Sequence, residues 1–402
     1  MVGVQYFEKS NAGDKSEAET AEKHQLNLTA KLSQKSVINK VASIDWEKSS
    51  DAPMVVEFDP TTACNLACPD CISRDLLNQQ YFSRERIRKL TVEMVEAGVK
   101  AVVLIGGGEP LAHPEIGWVI DYLGEHGVQI GLTTNGLLMD RYMDNIARHM
   151  SWTRVSMDAG NSKTFGYIRP NMKGQSEFDK AIENMRQLAK LKTGKLGYSF
   201  MLYTEEGKFD PEGIDKNKII QSDRIYSNIP EIYEAAKLAK DIGCDYFEIK
   251  PMYDINHFSI VQNQELMKEA KALIDKAETL ATDKFKILRA MKLGPALNGE
   301  GNLEPKEYTR CAVSQLRTLI TPSGTYVCPY FRGRPDKNIG DVMSLSFKEM
   351  WQGKQREHVM NRLDPSKDCK MHCIRNDSNL LLEDIISGNK KIQSVEDFDF
   401  FI

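Results

Sequence analysis

Between Met54 and about Ala281, short β-rich runs alternate six times with longer stretches patterned as helices. The runs are MVVEF, AVVLI, VQIGLTT, TRVSM, GYSFML and DYFEIK. The intervening segments repeat apolar residues at helical spacing, as in Ile87, Leu90 and Met94, in Ile116, Val119, Ile120 and Leu123, or in Phe178, Ile182 and Met185. Further helices are expected near 138–149, 230–241 and 263–281. Apolar strands separated by helices belong to a parallel sheet covered on its faces. Six units predict an α/β fold, a partial (β/α)6 barrel whose active face lies at the strand C-termini; a doubly wound open sheet is the alternative.

This rhythm divides the 402 residues. Residues 1–50 read as a polar N-terminal extension with one amphipathic turn around Ser36 to Val41, and 51–290 as the barrel. Residues 300–385 read as a small cysteine-rich domain in which RTLITPSGTYVCPYF forms a β-hairpin turned by Pro322-Ser323-Gly324. Residues 386–402 are a C-terminal tail. The polar stretch between Tyr203 and Ile229 is too long for an ordinary βα loop and is either a substrate lid or a solvated insertion.

With 53 Lys and Arg against 57 Asp and Glu, the net charge of −4 argues against a nucleic-acid partner. No apolar run approaches the roughly 18 residues of a membrane helix, and the first residues lack a secretory pattern, so a cytoplasmic chain without membrane contact is expected. In a reducing compartment, 8 cysteines point to metal or redox chemistry rather than disulfides. They divide into three in one loop, four late in the chain, and Cys244 alone, read as a buried apolar residue.

Cys64, Cys68 and Cys71 form C-x3-C-x2-C directly after the first strand. Three thiolates from one loop suit a [4Fe–4S] cluster with one open iron better than structural zinc, which wants four ligands. The second strand runs into Gly106-Gly107-Gly108-Glu109-Pro110, where glycines let a ligand approach backbone and a carboxylate can meet an ammonium group. Together these residues resemble the radical S-adenosylmethionine (SAM) superfamily over roughly residues 54–281. The resemblance implies that the open iron binds the amino and carboxylate groups of SAM, and that reductive cleavage gives a 5′-deoxyadenosyl radical that abstracts hydrogen from substrate. It carries the cluster ligands onto Cys64, Cys68 and Cys71, and the motif meeting the methionyl amine onto Gly107, Gly108, Glu109 and Pro110.

By the same resemblance, Ser156 and Arg169 are similar to the Ser and Arg that hold the SAM carboxylate in peptide-modifying members such as anaerobic sulfatase-maturating enzymes; a strand-end Ser and a surface Arg are the alternative. Asn135 within Thr134-Asn135-Gly136 is a ribose candidate or a plain turn, and Asp158 is a second ribose candidate. The family usually has an aromatic before the third cysteine, where this chain has Asp70, which leaves the adenine contacts open.

Cys311, Cys328, Cys369 and Cys373 satisfy either zinc or a second [4Fe–4S] cluster by count. Their placement around a hairpin, with Gly324 before Cys328 and an IGDV–SFKEMW stretch before the closing pair, looks like the SPASM and twitch extensions of the superfamily. Four cysteines match the shorter twitch form of 2-deoxy-scyllo-inosamine dehydrogenase, implying one auxiliary cluster without an open iron. His113 and His372 read as structural.

That resemblance favours a small polar substrate, a sugar, nucleotide sugar or aminocyclitol, to be oxidised, eliminated or epimerised. A peptide substrate is the alternative, and a non-catalytic iron–sulfur electron carrier the remaining one. Either enzyme would need an external one-electron donor such as flavodoxin or ferredoxin. Glu57, Asp59, Tyr198, Glu248, Lys250 and Tyr253 fall near strand ends as polar groups for substrate, with Lys250 and Glu248, two apart and so on one face, as the catalytic base candidates.

Overall fold

A computed structural model describes residues 27–46, 50–203, 227–254, 259–260, 264–291, 293–298, 305–369 and 373–402. Most of the stretch read as a lid or insertion, and His372, lie outside the described residues. The six expected strands are β1 (Val55–Phe58), β2 (Ala101–Leu104), β3 (Gln129–Thr134), β4 (Met150–Ser156), β5 (Lys195–Leu202) and β6 (Tyr246–Pro251), each parallel to the next. Helices α1 (Arg84–Glu96), α2 (Ile116–Glu125), α3 (Met143–His149), α4 (Ser162–Ile168), α5 (Phe178–Leu191), α6 (Ile232–Ile242) and α7 (Gln264–Glu278) fall between or after them.

Local chemistry explains the elements. The Ser83 side chain accepts the Arg86 N–H and caps α1, which buries Ile87, Leu90, Thr91 and Met94 along one face. Gly243 takes φ +94 to end α6, a conformation that side chains disfavour. Strands β1 and β2 are buried at every position, as expected of a sheet covered on both faces.

The sheet extends beyond six strands. At one edge β7 (Lys286–Arg289) runs parallel to β6; at the other, β8 (Arg317–Thr321) runs parallel to β1, pairing Val55 with Arg317 through Phe58 with Ile320. β9 (Gly324–Tyr326) and β10 (Asn338–Gly340) follow antiparallel, for an order of β10-β9-β8-β1-β2-β3-β4-β5-β6-β7. The hairpin foreseen in the tail is therefore β8–β9, and it continues the barrel's own ladder.

Alternation separates two faces. Tyr198, Phe200, Leu202, Phe247 and Ile249 join the core beneath the helices. On the inner face the Tyr246 ring fills the space beside Gly197, where a Cβ would come within 2.0 Å, and Arg154 reaches Glu248. Ser156, Ser199 and Glu248 share one register across β4, β5 and β6, with Lys250 two residues further along β6. Tyr198 does not offer its hydroxyl to the barrel mouth, as its position suggested: it points the other way and donates to the Ala159 carbonyl.

The opposite end of the barrel is covered by the last residues of the chain. The Phe401 ring meets Trp152 edge-on at 5.3 Å, and Gln129 bonds the backbone of Phe398 and Phe400. Around Ser36 to Val41 the expected amphipathic turn is a nine-residue helix, Lys35–Ser43, which buries Val37 and Val41 in the same cluster. Among the described residues, no helix is long and apolar enough to cross a membrane.

Candidate active site

The loop that leaves β1 is pinned from several sides. Thr62 N–H and the Thr61 hydroxyl both donate to the Gln80 carbonyl at 2.8 Å, Ala67 N–H to Pro170, and Glu109 N–H to Ala63. Cys64, Cys68 and Cys71 lie on this framework. Burial first, with the neighbouring thiols adding to it, pushes the Cys64 thiol up to about 12 and the Cys68 thiol up to about 11, the Arg169 charge holding Cys68 back. Cys71 is raised for the same first reason. None of the eight cysteines is in a disulfide. Three crowded thiols that resist ionisation fit a positively charged iron–sulfur centre, because the metal supplies the compensation that burial removes. Among the described residues no three His, Cys, Asp or Glu side chains converge on a single ion; the thiolates of a four-iron cluster each bind a separate iron.

The glycine run divides by function. A Cβ on Gly106 would sit 1.8 Å from the Gly108 carbonyl oxygen, and one on Gly108 would sit 2.1 Å from that of Ala63, so packing excludes side chains at both. At Gly107 the nearest atoms would be 3.5 Å away, an ordinary contact. Gly107 is itself buried, lying against Asp59, Thr62 and Arg332, so its Cβ direction is occupied without a clash. Glu109 is buried, and its carboxylate accepts from the Thr134 hydroxyl at 2.6 Å, Asn135 N–H at 2.8 Å and Leu111 N–H at 3.2 Å. It therefore ties the ends of β2 and β3 together, with Pro110 opening the turn that follows. Asn135, considered for ribose, donates its side-chain amide to Asn65 of the cysteine loop at 2.7 Å.

Arg169 stands just past α4 with Nε 2.9 Å from Asp158 and Nη2 on the same carboxylate, while Nη1 lies 4.0 Å from the Cys68 sulfur. One edge of the guanidinium is anchored and the other is turned toward the cysteine loop. Asp158, the second ribose candidate, is buried with φ +53 and also accepts Met201 N–H. Ser156 faces the interior, half-buried, at the end of β4.

Deeper along the inner face, Arg154 donates to Glu248 at 3.2 Å and to Thr133 at 3.3 Å. The Lys250 amine has no ion pair or hydrogen bond among the described residues; burial, and the Arg154 charge next, hold it below the ordinary value. Sequence reading missed Ser199, whose hydroxyl is fully buried and has no partner among the described residues. Its phase on β5, two residues past Gly197, was the available signal. Glu57 and Asp59, expected as groups for substrate, are instead engaged by tail arginines: Glu57 by Arg317, and Asp59 by Arg332 at 2.7 and 3.1 Å. The Tyr253 side chain lies outside the described residues. His113 is structural, with Nε2 at 2.9 Å from the Phe82 carbonyl, and Cys244 is buried in the core.

In the tail, Cys311 precedes the turn Ala312–Gln315, Cys328 the turn Pro329–Phe331, and Cys369 closes Pro365–Asp368. Burial raises Cys311 and Cys328 and pushes Cys369 up to about 12, and the charges of the other tail thiols, Cys373 included, add to the shifts of Cys328 and Cys369. Val327, Phe331, Ile339 and Trp351 pack around Cys311, Cys328 and Cys369.

The chain is similar to known proteins over part or most of its length. The mycofactocin maturase MftC of Mycobacterium tuberculosis is 30% identical over 149 residues, which is 36% of each chain, so the match spans about a third of that relative's length. MftC of Mycolicibacterium smegmatis is 24% identical over 330 residues, covering 76% of this chain and 72% of the relative. The fold is that of Streptococcus suis SuiB bound to precursor peptide SuiA, at TM-score 0.56 and 13% identity over 89% of this chain and 75% of that one. These relatives overturn the small-polar-substrate expectation. It rested on the number of tail cysteines, and that number concerns what the tail binds rather than which substrate the enzyme takes. The Radical SAM superfamily matches residues 58–212, and that part of the chain is a radical SAM domain, of a family that works with a [4Fe–4S] cluster and S-adenosylmethionine.

Proposed function

We propose that this protein is a radical SAM maturase that modifies a peptide. The observation that carries the reading is the alignment with MftC over 330 residues, which is longer than the expected barrel and so takes in more than the superfamily domain. The fold shared with a precursor-peptide-binding enzyme supports it. Cys64, Cys68 and Cys71 would hold three irons and leave the fourth open. The Gly107-Gly108-Glu109-Pro110 segment would meet the methionyl amine, Glu109 keeps it in place through its three hydrogen bonds, and Arg169 with Ser156 receives the methionyl carboxylate. When bound, the reduced cluster and SAM supply a 5′-deoxyadenosyl radical that takes hydrogen from the substrate.

The chain's own residues then handle proton and electron. Lys250, in its neutral form, accepts the proton released when a substrate radical is oxidised; a lowered amine pKa increases the fraction in that form near neutrality. Glu248 is held by Arg154 and serves to orient the inner wall. Cys311, Cys328, Cys369 and Cys373 would ligate a second [4Fe–4S] cluster, which would supply an acceptor for the electron. The first cluster would need an external donor of the flavodoxin or ferredoxin type, in a reducing cytoplasm.

The test is anaerobic reconstitution with SAM, reductant and short precursor peptides encoded beside the gene. A peptide that accelerates 5′-deoxyadenosine release and changes mass in step with it supports the reading. Release of 5′-deoxyadenosine coupled to a non-peptide metabolite and to none of the peptides overturns it.

A further inference from the structure

Two loops that lie 273 residues apart in sequence meet at one buried carboxylate. Asp59, the residue after β1, is fully buried. Arg332, four residues beyond Cys328, grips it with Nε at 2.7 Å and Nη2 at 3.1 Å, the fork geometry that a guanidinium makes with both carboxylate oxygens. Gly107 lies beside the same carboxylate, and its backbone N–H favours the charged form. A Cβ built on Gly107 would lie 3.5 Å from Asp59 Oδ2 and 3.9 Å from Arg332 Cδ, so the tail arginine reaches the central glycine of the SAM motif.

The arginine is itself held firmly. Phe331 N–H donates to Cys328 and Arg332 N–H to Pro329, which closes the turn behind the cysteine. Gly333 follows with φ +77, and a Cβ there would sit 2.6 Å from Leu76, in the turn just beyond Cys71. The turn from Cys328 to Gly333 is thus a wedge between the cysteine loop and the glycine motif, and the Arg332 charge is also felt at Cys71.

We propose that Arg332 is a positioning residue for SAM: by fixing Asp59, which lies against Gly107, the tail sets the backbone that receives the methionyl group. The link passes through an ion pair and the packing of Gly107 against it rather than through either cluster. It rests on the reading of Gly107 as part of the SAM site, and the experiment separates the two.

The full chain, reconstituted anaerobically, is titrated with SAM by equilibrium dialysis, and the electron paramagnetic resonance spectrum of the reduced loop cluster is recorded with and without SAM. Arg332→Ala should weaken SAM binding by about tenfold, the loss of one charge-assisted anchor, with iron at the loop unchanged. Its SAM-dependent spectral change should need correspondingly more SAM. Arg332→Lys, which keeps the charge and loses the fork, should fall between. Should Arg332→Ala fold poorly because Asp59 is left as a lone buried charge, the double variant Asp59→Asn/Arg332→Gln removes both charges together and should show the same weakening. Wild-type SAM affinity in the folded variants overturns the proposal while leaving the SAM site in place. Failure of the unaltered protein to bind SAM overturns the site itself.

Discussion

The two cysteine groups are built from the same chemistry and surrounded differently. In both, burial raises the thiols. The loop group has Arg169 at 4.0 Å from Cys68, whereas three of the four tail cysteines pack against Phe331, Trp351, Ile339 and Val327. A guanidinium beside a thiol suits a charged ligand, while apolar packing tunes whatever is bound within. The difference lies in the neighbours and not in exposure, since all seven of these cysteines are half-buried.

The strongest challenge to that contrast is to remove each group in turn. Cys64→Ala/Cys68→Ala/Cys71→Ala should abolish 5′-deoxyadenosine formation and lose about half of the bound iron, each cluster holding equal numbers. Cys369→Ala/Cys373→Ala should still cleave SAM, while oxidised product falls and abortive cleavage rises. Complete loss of cleavage in a folded tail variant would erase the distinction. At the next level, Arg169→Ala should weaken SAM binding at least about tenfold, since a charge-assisted contact is worth roughly 1.5–3 kcal/mol. Glu109→Ala should weaken it too, and also lower the melting temperature, because its carboxylate joins β2 to β3. A Glu109 variant that loses stability but keeps full affinity would confine that residue to a structural role.

A subtler effect is expected on the inner wall. Product formation that needs neutral Lys250 should rise with pH through the lowered amine pKa, and Lys250→Met should flatten that limb. A folded-state pKa below the unfolded value means that protonation favours the unfolded chain. Below the ordinary amine pKa of about 10.4, Lys250→Met should therefore raise stability. An unchanged pH profile would remove Lys250 from proton transfer. The smallest effect belongs to Ser199→Ala, which removes a buried hydroxyl with no protein partner: stability should hold or rise slightly by thermal melting, and KM for the peptide should increase where that hydroxyl meets substrate.

Much of the barrel was legible because strands buried on both faces leave continuous apolar runs. β7 was not, since Lys286 and Arg289 at its ends are exposed and its middle is half-exposed, which is how an edge strand reads. The β8–β9 hairpin carried its own turn signal, but its ladder with β1 has no local signature. Spacing marked the cysteines and the glycine motif. It could not separate Gly107 from Gly106 and Gly108, which takes knowing that the Ala63 carbonyl crowds one of them. Tyr198 was misplaced by one residue of phase, and Asp59 by a partner 273 residues away.

The pairing of β8 with β1 also bears on how the protein is made. β1 is synthesised well before β8, and its outer edge is completed only by residues 317–321. Until those residues are synthesised, β1 presents a row of unpaired backbone groups, a template for the wrong neighbour. Closing so long a chain segment before the ladder can form also slows folding. A polypeptide cut after residue 300 would keep that edge open permanently, so aggregation, rather than a quiet barrel, is its expected fate.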